Sequence, residues 1–188
     1  MYHVVLVEPE IPQNTGNIAR TCAATNTRLH LVRPLGFNID DKSVRRAGLD
    51  YWQYVDLEVH DSLEAFIREY GDHRWFLATT HGEKKYTDVE YKDGDMILFG
   101  RETKGLPKDF IQEHREGAVR IPMSEQTRLR SLNLSNSVNI ILFEALRQWF
   151  PRTSIIGELE NVLLQKGNAR RRKWLELESV ALEESLVS

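Results

Sequence analysis

Three features of the chain predict an α/β fold, a mostly parallel sheet flanked by helices. Short apolar runs alternate with segments whose apolar residues recur at three-and-four spacing, which is the signature of strands crossing over through helices. At 188 residues with 41% hydrophobic and 28% charged content, the chain can bury one substantial core but hardly two. Turn-rich loops carrying Gly, Asn and Ser stand where the runs end, the place at which open α/β sheets collect ligands.

The elements follow in order. His3 to Val7 reads as a buried strand, Glu8 to Gly16 as a turn-rich loop, and Ile18, Cys22 and Ala23 as one face of a helix. Arg28 to Val32 reads as the next strand. Asp40-Asp41 caps a short helix that carries Arg45 and Arg46 and ends at Gly48, and Ser62 opens another through Leu63, Phe66 and Ile67. Residues 75–79, 96–99 and 119–123 are further strand-like runs. Val138, Ile141, Leu142, Ala145, Leu146 and Trp149 trace an amphipathic helix starting near Ser135, closed by Pro151. Residues 1–151 therefore form the α/β domain, and 152–188 a helical extension read as a hairpin.

Composition excludes several classes. No stretch approaches the roughly 18 apolar residues of a membrane span, and no leading segment resembles a signal peptide, so a soluble, cytoplasmic protein is expected. Cys22 is the only cysteine, and its place in a helical apolar pattern reads as a buried structural thiol. The six histidines are scattered, without a pair at metal-ligand spacing, and no metal site is expected. A net charge of −3 does not mark a strongly basic nucleic-acid binder. Local clusters at Arg45-Arg46, Arg101/Lys104/Lys108, Arg128/Arg130 and Arg170 to Lys173 are either phosphate contacts or solvated faces; the last can equally pair with Glu176, Glu178, Glu183 and Glu184.

Three loops carry the chemistry. In Asn14-Thr15-Gly16-Asn17-Ile18-Ala19-Arg20 the glycine permits a close turn and Arg20 is expected in the first helical turn, where a guanidinium beside free N–H groups would bind an anion; a capped helix with a solvated arginine is the alternative. In Phe99-Gly100-Arg101-Glu102-Thr103-Lys104-Gly105-Leu106-Pro107, two glycines are expected to let a ligand approach the backbone, and Pro107 suits a helix start. Leu106-Pro107 stands where a P-loop needs Lys-Ser/Thr, and no Gly-x-Gly-x-x-Gly occurs, which disfavours triphosphate and dinucleotide binding. The third loop, Ser131 to Asn139, packs Ser and Asn groups at a helix start, suited to holding something polar.

Together these loops resemble the three ordered motifs of the SPOUT family of knotted S-adenosylmethionine-dependent RNA methyltransferases, over nearly all of residues 1–151. Glu8-Pro9-Glu10-Ile11-Pro12 and Arg46-Ala47-Gly48-Leu49-Asp50-Tyr51 further resemble its minimal TrmL-like subfamily, which 2′-O-methylates the wobble ribose (position 34, cytidine or modified uridine) of certain tRNAs. The resemblance implies a deep C-terminal trefoil knot, a homodimer with active sites at the subunit interface, and the tRNA anticodon stem-loop as partner. It implies that S-adenosylmethionine lies against Ala78, Thr79, Gly100, Ile121, Ser131 and Leu132, and that Arg20, Glu102 and Asn133 face the target ribose. Phe143 stands where several members carry a tyrosine, and residues 152–188 extend past the minimal fold. Rival readings are an RNA-binding module without activity on the same fold, which need not bind S-adenosylmethionine, an rRNA 2′-O-methyltransferase, which the lack of an N-terminal RNA-binding extension disfavours, and a metabolic nucleotide-binding enzyme, which the missing phosphate fingerprints disfavour.

Overall fold

Every strand of the sheet runs parallel to its neighbours, so all carboxyl ends emerge along one edge and the loops leaving them are brought together. The computed structural model describes residues 1–39, 52–124, 126 and 131–149. The strands are β1 (His3–Val7), β2 (Arg28–Val32), β3 (Leu57–His60), β4 (Trp75–Ala78), β5 (Lys84–Lys85), β6 (Met96–Phe99) and β7 (Ala118–Arg120), in the order β3-β2-β1-β6-β4-β7-β5. The helices are α1 (Pro12–Thr25), α2 (Leu63–Tyr70), α3 (Lys108–Glu113) and α4 (Leu134–Trp149). Met1–Trp149 forms one compact unit. The expected helix bearing Arg45 and Arg46 and the helical extension lie outside the described residues.

β1 sits centrally, all five residues buried, because both of its faces are covered. Alternation divides them. Val5 and Val7 join Val32, Leu77, Met96 and Leu98 beneath Phe66 of α2 and Phe110 of α3. Tyr2 points the other way: its hydroxyl donates to the Ala145 carbonyl at 3.0 Å and its ring meets Trp149 edge-on, which ties the start of the sheet to α4. On that side α1 packs against α4, and Cys22 is fully buried there with its thiol pushed up to about 12 by burial, the structural thiol expected.

Local chemistry explains the helix starts. Ser62 caps α2, its hydroxyl accepting from the Ala65 N–H. α1 begins at Pro12, not beyond Gly16, because proline is preorganised for the first helical position. This corrects the expected placement of Arg20: it stands about two turns into α1, away from the free N–H groups.

A second correction concerns the histidines. His3 on β1, His30 on β2 and His60 on β3, all buried, fall in a row across adjacent strands beneath α2. His3 Nδ1 lies 2.9 Å from His30 Nε2, and His30 Nδ1 lies 3.0 Å from His60 Nε2. The rings meet edge to edge in nearly parallel planes, with Tyr70 and Phe66 turned onto the row. Parallel register unites residues that sequence spacing keeps apart.

Candidate active site

The carboxyl ends of β6, β4 and β7, with Ile11 and Asn14 at the start of α1, surround a cavity of about 400 Å3, a size suited to a small organic ligand. Ala78 and Thr79 enter from the end of β4, Gly100 from β6, Ile121 from β7, and Ser131 and Leu132 from the approach to α4. All six residues expected around the cofactor thus line one cavity, together with Glu102 and Asn133. Arg20 is not among the lining residues and is exposed on α1. Apolar wall comes from Phe99, Leu106, Val119 and Ile141. Arg128 and Arg130 lie outside the described residues.

The loop after β6 curls back on itself. Gly105 N–H donates to the Arg101 carbonyl at 2.8 Å with Gly105 at a φ of +70°, and a Cβ on Gly100 would come within 2.0 Å of the Gly105 and Leu106 backbone. Gly100 is therefore required by the loop's own close approach, and it also lines the cavity.

Two loops distant in sequence are clasped reciprocally at the mouth. The Glu102 carboxylate accepts from Glu10 N–H at 2.8 Å, Ile11 N–H at 3.2 Å and Asn14 Nδ2 at 2.9 Å. In return the Glu10 carboxylate accepts from the Thr103 hydroxyl and N–H, which hold it below the ordinary carboxylate range. Arg101 pairs with Glu8. Glu102 thereby places negative charge at the start of α1, where the helix dipole favours it.

That anion sets the direction of every group behind it. A carboxylate only accepts, so Asn14 must turn its amide nitrogen toward Glu102. Its oxygen then accepts from Asn133 Nδ2 at 2.9 Å, and the Asn133 oxygen accepts from the Ser135 N–H at 2.9 Å and hydroxyl at 2.7 Å. Buried Asn14 joins all three motifs, a role the sequence did not disclose. The available signal was its place just after Pro12, at the true start of α1.

The structure thus presents an apolar-walled slot with a rigid polar rim, fit for a ligand with a flat apolar part and polar ends. The model of the SpoU rRNA Methylase family matches residues 1–143 of this chain. The tRNA (cytidine(34)-2′-O)-methyltransferase of Methylovorus glucosotrophus (strain SIP3-4) is 49% identical over 152 residues, 79% of this chain and 96% of its own length. A solved structure described as giving insights into the 2-OH methylation of C/U34 on tRNA is 45% identical, with a TM-score of 0.72 over 79% of this chain and 95% of its own. The AdoMet-bound rRNA methyltransferase of Sinorhizobium meliloti is 28% identical, with a TM-score of 0.67 over 78% of this chain and 56% of its own.

Proposed function

The chain belongs to the SpoU methylase family of RNA methyltransferases, and from that premise and the cavity we propose that it methylates the ribose 2′-oxygen of nucleotide 34 in tRNA, cytidine or modified uridine, using S-adenosylmethionine. One observation carries the reading: residues of the second and third motifs, held by Asn14 of the first, converge on a single slot at the carboxyl edge of the sheet. Bound S-adenosylmethionine would supply an electrophilic methyl group. Thr79, Gly100, Ile121 and Leu132 would hold its flat part against apolar wall and backbone, with Ser131 at its polar end.

The harder task is the acceptor, because a ribose hydroxyl is a poor nucleophile until its proton leaves. Arg20 would stabilise the developing alkoxide and the neighbouring phosphate, since a guanidinium stays protonated and does not act as base. Glu102 is engaged by three donors. We therefore assign it and Asn133 to holding the rim in register, while the proton leaves to water or phosphate. A homodimer fits this arrangement: Phe143 and Trp149 leave large apolar surface exposed on α4, and a site at the subunit interface would let Arg20 act from the surface of α1. The C-terminal trefoil knot and a cytoplasmic location belong to the same reading.

Incubating the protein with tRNA and methyl-labelled S-adenosylmethionine, then mapping the label by digestion, tests it. Label in a 2′-O-methyl nucleoside at position 34 is expected. Label at another site of the tRNA, or no label while the tRNA still binds, would overturn it.

A further inference from the structure

We propose that His30, Glu58 and His60 form a binding site for a first-row transition cation of the Zn2+ class, stapling the edge strand β3 to β2. The site lies beneath α2 and uses no residue that lines the cavity.

Distances support it. His30 Nδ1 and His60 Nε2 are 3.0 Å apart, and the Glu58 carboxylate brings one oxygen within 3.7 Å of the first and the other within 3.9 Å of the second. The two nitrogens and a carboxylate oxygen lie within 4.8 Å of one another, near enough for one cation to reach all three at the roughly 2 Å of zinc–imidazole and zinc–carboxylate bonds once the side chains turn toward it. Their nitrogens already share one small gap, and both rings turn toward Glu58 to aim at a cation set beside the line between them.

The surroundings supply what ligating histidines require. A ligand imidazole presents one bare nitrogen to the metal and gives its other N–H to an acceptor. The outer nitrogen of His30 faces His3 Nδ1 at 2.9 Å, and that of His60 faces the Glu69 carboxylate at 3.7 Å. With both outer nitrogens protonated, the two inner ones are bare and face each other, the tautomer a cation between them selects in place of the N–H···N hydrogen bond the rings otherwise share. Glu58 is fixed by the Tyr70 hydroxyl, which donates at 2.6 Å, and the Arg28 guanidinium nearby is held by Asp56 at 2.8 Å. Two imidazoles and one carboxylate select Zn2+, Ni2+ or Cu2+ over Mg2+ or Ca2+, which prefer all-oxygen shells. Glu58 is 30% exposed and gives the ion a way in.

Calorimetric titration of the untagged full chain, stripped by a chelator, with ZnCl2 decides the matter. One equivalent per chain should bind and raise the thermal midpoint by several degrees, and Co2+ should give the visible bands of a low-coordinate nitrogen–oxygen site. Glu58→Gln keeps an oxygen for Tyr70 and should weaken zinc binding at least tenfold; His60→Asn should abolish it, while His114→Ala should leave it intact. No binding at millimolar zinc, or binding that survives Glu58→Gln unchanged, overturns the site, and neither result touches the methyltransferase reading because no RNA or S-adenosylmethionine is present.

Discussion

Two polar networks, one at the carboxyl edge of the sheet and one buried beneath α2, are built on opposite principles. At the carboxyl edge, Glu102, Asn14, Asn133 and Ser135 form a chain in which an anion at one end dictates every donor and acceptor behind it. Beneath α2, His3, His30 and His60 form a row in which each ring can exchange donor for acceptor by changing tautomer. The first arrangement has one orientation, which suits the fixed rim proposed for the site. The second has several, which suits a place where a proton can be replaced by another cation.

Arg20→Ala should break the comparison most severely on the chemical side. Removing a stabiliser of developing charge should lower turnover by a factor of about 10² to 10³ while calorimetric S-adenosylmethionine affinity is retained. Loss of cofactor binding with normal turnover at saturation would reverse the assigned roles. Asn14→Asp comes next, because it sets a second carboxylate against Glu102 where an amide now donates at 2.9 Å. A destabilisation of about 3 kcal/mol is expected in urea unfolding at neutral pH. The two carboxyls should share a proton, so the loss should shrink as pH falls below the raised pKa of the pair. A loss that is flat with pH would mean that the amide is not oriented by Glu102.

The histidine row should respond differently. His30→Phe leaves His3 and His60 facing an apolar ring and should cost about 2 to 4 kcal/mol of stability, yet methyl transfer at saturating substrates should stay within twofold of the parent. Acid should act on the same row in the intact, chelator-treated protein. Burial first, then the Arg28 charge, pushes His3 down to about 4, and burial with the neighbouring rings pushes His30 down to about 3. The unfolded chain takes up these protons near 6.5, so between roughly pH 6.5 and pH 3 it binds more protons than the folded one. Stability should therefore be full above about pH 6.5 and fall steadily below it; a urea midpoint unchanged between pH 7.5 and 5 would contradict this.

The contrast also shows what a sequence discloses. β1, β2 and β6 fall where apolar runs placed them, because a strand buried on both faces writes itself as an unbroken run. β3 and β5 escaped notice: Leu57-Glu58-Val59-His60 mixes charge into an edge strand, and Lys84-Lys85 carries no apolar residue at all. The six residues expected around the cofactor were legible as ordered motifs and do line one cavity. The groups that join them were not, since Asn14 meets Glu102 and Asn133 across 88 and 119 residues of chain. The histidines were hidden for the same reason, being 27 and 30 residues apart and adjacent only through parallel register.

Ser131→Ala is the mildest test. One neutral hydrogen bond lost at the cavity should weaken S-adenosylmethionine binding by about 1 kcal/mol and leave turnover at saturation nearly unchanged.

The central claim is that the slot at the carboxyl edge serves transfer to a ribose 2′-oxygen at one tRNA position. Single-turnover methyl transfer to an anticodon stem-loop, compared with the same RNA carrying a 2′-deoxy sugar at nucleotide 34 alone, tests it most directly. The account predicts full transfer to the first RNA and none to the second; equal transfer to both would contradict it.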